Sequence, residues 1–200
     1  MNKRRWGLAL AAIGILAICI PSAGYGERSD PADRTTPLEA RLISFAEELR
    51  LGVSLAAFAA YSPTILDLRL HAQQLINLIE GVEGEDYARP SEPPEDRPGL
   101  LVEATAWLEE IGDRPIPAEA KERLITAGKN VLTFLNLARD AALAIRDERR
   151  IAVAKERMLE IYAYLAAAYE PPCGHGYLPG LWTILKGFGI AEEAEGQPHS

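Results

Sequence analysis

His71 is one of three histidines in the chain, and it stands inside the leucine-rich stretch "LDLRLHAQQLINLIEG", residues 66–81. Asp67 lies four residues before it and Gln74 three after, so on a helix both reach it along one edge. A carboxylate beside an imidazole can hold one ring nitrogen and leave the other for a metal ion or a proton. The same pairing also satisfies a histidine that has no chemical task. On a wheel of 100° per residue, Leu75, Leu68, Ile79, Ala72, Ile65 and Ile76 fill an arc to one side of His71, and Leu78 and Val82 flank it, so His71 sits inside the apolar arc near one edge. Asn77 falls 240° away, off that face, so the two line one pocket only if the following loop folds back over both.

A second cluster is Cys173-Gly174-His175-Gly176. A thiol and an imidazole two residues apart in a glycine-rich turn supply half of a zinc site, which normally takes three or four protein ligands. Covalent haem needs C-x-x-C-H, which is absent. His71 and Met158 are the residue types that hold haem between helices, although a methionine in a helical stripe serves packing far more often. Glu83, Glu85 and Asp86 offer oxygens to calcium, but their spacing is not that of an EF-hand. The E-x-x-H of di-iron bundles, G-x-S-x-G, the phosphate-binding glycine loop and H-E-x-x-H are also missing. The sequence therefore names no catalytic residue. It leaves one polar cluster (Asp67, His71, Gln74, Asn77) and one possible set of metal ligands (His71, Cys173, His175).

The elements that would position these residues are helices. Hydrophobic residues make up 48% of the 200 and aromatics only 7%, so Leu, Ile and Ala must build the core. Thr36-Pro37-Leu38-Glu39 is a helix start, with a capping threonine, a first-turn proline and the glutamate of a capping box. Leu38, Leu42, Phe45, Leu49, Ala56 and Ala59 then follow at helical spacing. Ser62 as cap and Pro63 as first residue open a second helix that ends at Glu80 before Gly81. Residues 82–98 hold four prolines and six acids, and form a long loop.

A short third helix covers Leu100 to Ile111. The fourth starts near Pro117 with Leu124, Ala127, Val131, Phe134, Ala138, Ala141 and Ile145 inward. The fifth carries Ile151, Ala154, Met158, Ile161, Leu165 and Ala168. A turn at 147–150 separates these two, because one continuous helix would run about 80 Å. A last helix, Leu181 to Phe188, presents Trp182, Leu185 and Phe188. No stretch alternates as a half-buried strand does. The expectation is an all-α, antiparallel up-down bundle of four long helices, with a short third helix and a C-terminal capping helix.

The N-terminus concerns destination rather than fold. Lys3, Arg4 and Arg5 precede an uncharged run from Trp6 to Ile20, and then Pro21, Ser22, Ala23 and Gly24. This is the layout of a secretory signal, cleaved after Gly24. The alternative is an inner-membrane anchor over residues 6–23, although the run is short for spanning. The expected layout is a signal at 1–24, a lead-in at 25–35, the bundle domain at 36–190 and a polar tail at 191–200. Cleavage would leave 18 basic against 29 acidic residues, a net charge of −11. That opposes nucleic acid and anionic lipid, and leaves Cys173 without an intramolecular partner.

His71-Ala72, Asn77 and Gly81 form H-A-x-x-x-x-N-x-x-x-G, followed by the acidic loop with Tyr87 and then Gly99-Leu100-Leu101. This order, over roughly residues 65–108, resembles that of exported bacterial helical-bundle proteins with no assigned function. The resemblance implies a helical bundle outside the cytoplasm, in which His71 and Asn77 matter. It implies no activity. The expectation is an exported, non-catalytic bundle, periplasmic or extracellular, that needs no cofactor and binds an unidentified protein or small ligand. The alternative is a periplasmic metal- or haem-binding protein using His71, with help from Cys173 and His175. A membrane is a partner only if the N-terminal segment stays on.

Overall fold

The computed structural model describes residues 36–88, 98–169 and 179–190. The expected export segment, the lead-in, Cys173, His175 and the polar tail lie outside them. Among the described residues there are six helices: α1 (Pro37–Ala59), α2 (Ile65–Glu80), α3 (Leu100–Asp113), α4 (Ala118–Arg146), α5 (Ile151–Tyr169) and α6 (Leu181–Gly187). The fold class is all-α, as the spacing predicts. The one pairing of extended backbone among them is an isolated antiparallel bridge between Gly81 and Pro98.

Helix α1 starts where its sequence says. Thr36 Oγ1 accepts the Glu39 N–H, and Glu39 Oε2 accepts the Thr36 N–H in return. Leu38, Leu42, Phe45, Leu49, Ala56 and Ala59 are all buried. The packing partners give a cross-section. α1 touches α2 and α5, α4 touches the same two, and α1 and α4 do not meet. The four long helices thus stand in the order α1, α2, α4, α5 around one core. α3 packs against α1, α2 and α4, and α6 packs chiefly on α4.

Buried alanines, among them Ala72, Ala104, Ala127, Ala138 and Ala154, let the helix backbones approach closely. Trp107 of α3 fills the largest space and meets Phe45 of α1 edge-on, with ring centroids 5.7 Å apart. Among the described residues its buried indole N–H has no hydrogen-bond partner.

Four details differ from the sequence expectation. The cap of α2 is Thr64, not Ser62. Thr64 Oγ1 accepts the Asp67 N–H at 3.1 Å, while Ser62 is buried in the preceding turn with its N–H on the Ala59 carbonyl. Pro63 therefore precedes the helix rather than opening it. Leu135, not Phe134, is the fully buried residue midway along α4. In α6 the buried side chains are Leu181, Ile184 and Leu185. Trp182 and Phe188 are only half-buried, and the Phe188 ring lies under the Arg114 guanidinium, 5.6 Å from its centroid. Ile151 is 38% exposed, because it sits in the first turn of α5.

The turn between α4 and α5 falls at Asp147–Arg150, as expected, although no glycine or proline marks it. Glu148 does the work of both. Its Oε1 accepts the N–H groups of Arg149 and Arg150 at 2.8 Å each, and its carboxylate also pairs with the Arg150 side chain. The Arg150 side chain first, and then these backbone donors, lower the Glu148 pKa from 4.5 to about 2. Arg69 of α2 donates from Nη2 to the Glu148 carbonyl at 2.8 Å and ties the turn to the bundle.

Candidate functional site: the polar edge of α2 and its loop

The N-terminal third of the edge is used by helix capping. The Thr64 hydroxyl donates to Asp67 Oδ2 at 2.6 Å, and Thr64 Oγ1 accepts the Asp67 N–H in return. The carboxylate expected to hold His71 is therefore committed to the start of the helix. A threonine three residues upstream of an aspartate in the first turn captures it before an imidazole one turn later can.

His71 is half-buried at the border of the apolar face, and its Nδ1 lies 2.9 Å from Gln74 Oε1. An amide oxygen only accepts, so with the amide oriented this way Nδ1 carries the proton and the lone pair is on Nε2. A metal ion or substrate proton at Nε2 would need further groups around it. Among the described residues no three His, Cys, Asp or Glu side chains gather closely enough to hold a metal ion. Two of the three expected ligands, Cys173 and His175, lie outside those residues.

The C-terminal part of the edge belongs to the loop. Asn77 pairs with the backbone of Ala88 as a strand residue would. Its Nδ2 donates to the Ala88 carbonyl at 2.7 Å, and its Oδ1 accepts the Ala88 N–H at 3.1 Å. Gln73 Nε2 donates both to Asn77 Oδ1 and to the Asp86 carbonyl. Glu80 Oε2 accepts the Asp86 N–H at 3.0 Å, and its Oε1 faces Arg139 Nε at 3.8 Å. The Glu80 side chain is 8% exposed, so this carboxylate is spent inside the structure. From the far side Arg146 Nη1 donates to Asp86 Oδ1 at 2.8 Å. The loop does fold back, but over Gln73 and Asn77. Among the described residues none of its hydrogen bonds reaches His71. The structure thus separates His71 with Gln74 from Asn77 with Gln73, and Asp67 from both.

The loop is closed at its base. Gly81 has φ +76°, and a side-chain carbon there would lie 2.1 Å from the Gly99 nitrogen. The start of α3 therefore sits directly against the end of α2. The sequence reading missed Gln73, Glu80, Arg139 and Arg146. The signal for the first two was present: Gln73, Asn77 and Glu80 follow at intervals of four and three, a polar stripe next to a loop rich in backbone donors. The two arginines depend on how α4 lies beside α2, which spacing within one helix does not encode.

Elsewhere, Arg41 bridges Glu103 and Glu110, at 3.0 and 3.3 Å, beside a cleft of about 260 Å³ lined by Ser44, Phe45, Glu48 and Pro98. That is below the usual size of a small-molecule pocket, about 300 Å³ and above. Comparisons with protein-family models, with curated proteins and with solved structures returned no match.

Proposed function

We propose that the chain is an exported, non-catalytic helical-bundle protein that acts by binding a partner or ligand outside the cytoplasm. One observation carries this reading. Each polar residue singled out on α2 among the described residues is engaged by the chain's own groups: Asp67 by Thr64, His71 by Gln74, and Asn77 by Ala88. A catalytic constellation requires a nucleophile or base held by a second group and aimed at open space. Here Asp67 holds a helix start and Asn77 a loop, and among the described residues no set of three His, Cys, Asp or Glu side chains gathers around the imidazole that Gln74 orients. The order of basic residues, apolar run and small residues at the N-terminus supports export, and the acidic balance supports a protein or small-molecule partner over nucleic acid.

Calorimetric titration of the full chain with zinc, nickel and copper, with an absorbance spectrum of the protein as purified, tests the reading. The expected result is no tight stoichiometric site and no haem band. A one-to-one site lost in His71→Ala would replace it with a metal-binding function.

A further inference from the structure

Helices α1 and α5 pack against each other and run in opposite directions. Arg69, in the first turns of α2, binds the Glu148 carbonyl just before α5, so α5 starts at the end where α1 stops. The register comes from Gly52, where an added side-chain carbon would lie 3.4 Å from Leu165 Cδ1. Phe58 is therefore about level with Leu159, and Leu51 with Ala166. On a helical wheel, Leu51, Phe58, Glu47, Ser54, Ile43 and Arg50 fill an arc of about 100° on α1, opposite its buried stripe. Arg50 stands about 180° from Arg41, which reaches α3, so the Arg50 edge is the one toward α5. On α5, Tyr162 and Leu159 lie about 60° and 120° round from Leu165, outside its contact with α1. The two helices thus share an outer face rich in apolar residues. Ile43 is 39% exposed, Leu51 61%, Phe58 78%, Leu159 54% and Tyr162 40%. Arg157 and Glu160 pair with each other away from it.

We infer that this face is the interface of a two-fold homodimer. The inference goes beyond the binding reading above and is independent of it. Two observations select a second copy as the occupant. The first is area. At about 200 Å² for a free residue of this size, the five side chains expose about 550 Å². A standard interface takes about 800 Å² from each partner, about 65% of it apolar in homodimers, which is about 520 Å². The second is charge. Glu47 and Arg50 border the face on α1, and Lys155 and Glu156 border it on α5. Among the described residues Glu47, Arg50 and Lys155 make no ion pair. From the register, the two borders are about 20 Å apart along the helices, at diagonally opposite corners. A two-fold axis lying in the face between those corners exchanges them. It brings Glu47 to Lys155 of the second copy and Arg50 to its Glu156, and each meeting occurs twice. Opposite charges meet at both, in the polar rim that surrounds the apolar centre of a protein interface.

The test is analytical ultracentrifugation of the full chain with Cys19→Ala and Cys173→Ser. The expected species is a dimer. Phe58→Asp and, separately, Leu159→Asp should weaken it at least about tenfold while helical circular dichroism stays unchanged. Glu47→Lys should weaken it as well, and Glu47→Lys combined with Lys155→Glu should restore it. Within one chain the two residues are too far apart for such a rescue. When Glu47→Cys and Lys155→Cys chains are mixed and oxidised, 47 should join to 155 more readily than either joins to itself. A monomer at every concentration overturns the proposal, as does a dimer that both aspartate variants leave intact. Failure of the charge exchange to restore association, or preferred 47-to-47 bonding, overturns the two-fold pairing and the proposal with it.

Discussion

Asn77→Ala should unfasten the loop while leaving the bundle folded. The side chain makes two hydrogen bonds to the Ala88 backbone and accepts a third from Gln73. A net hydrogen bond contributes about 0.5–1.5 kcal/mol, and this site is partly exposed, so water recovers part of what is lost. Counting the two backbone bonds gives about 1–2 kcal/mol. For a chain of this length 1 kcal/mol moves Tm by about 2–4 °C, so Tm should fall by about 2–8 °C. Hydrogen exchange locates the effect. The Ala88 amide should lose protection, and so should that of Asp86, since Gln73 also holds the Asp86 carbonyl and would lose its orienting partner. Amides of α4 and α5 should keep theirs. If Tm and Ala88 protection are both unchanged, Asn77 does not hold the loop, and its place in the structural account fails.

Other outcomes follow from the same geometry. Glu148 has a folded-state pKa lowered from 4.5 to about 2 by Arg150 and the backbone donors around it. Its stabilisation of the α4–α5 turn is therefore complete above pH about 4.5 and is lost as pH falls toward about 2. Glu148→Gln should flatten the acid limb of a Tm-against-pH curve between those values. Gly81→Ala must place a side chain at positive φ against the Gly99 backbone. The conformation alone costs about 1–3 kcal/mol, and the clash adds to it by separating α2 from α3. Gly112→Ala, with nothing within 4 Å of the added carbon, should stabilise α3 by about 0.5–1 kcal/mol. Denaturant titration of the two variants should shift the midpoint in opposite directions.

The helices were legible wherever one local rule had no rival. Thr36, Pro37 and Glu39 fit only one start, and the run from Leu38 to Ala59 fits only one face. Ambiguity arose where two residues met the same rule. Ser62 and Thr64 are both capping residue types, and Thr64 is the one used, because it exchanges two hydrogen bonds with Asp67 three residues on. Phe134 and Leu135 each bridge Val131 and Ala138 at helical spacing, and packing against neighbouring helices chooses Leu135. The turn at 147–150 was legible from length, but its cause, Glu148 binding two N–H groups, was not.

The site was legible in part. The border position of His71 and the separation of Asn77 from it follow from helical angles alone. That Asn77 pairs with Ala88, eleven residues on, depends on the path of the loop. That path is set by Gly81, Glu80 and Arg146 together rather than by a local motif.

The central claim is that the α2 polar edge serves its own chain. It is tested most directly by the imidazole nitrogens of His71, read by ¹⁵N NMR at a pH where the ring is neutral, before and after one equivalent of zinc. The account predicts a protonated Nδ1 bonded to Gln74, an unprotonated Nε2, and no change on adding zinc. A stoichiometric shift of the Nε2 resonance would contradict it, and would make His71 a ligand rather than a fastening.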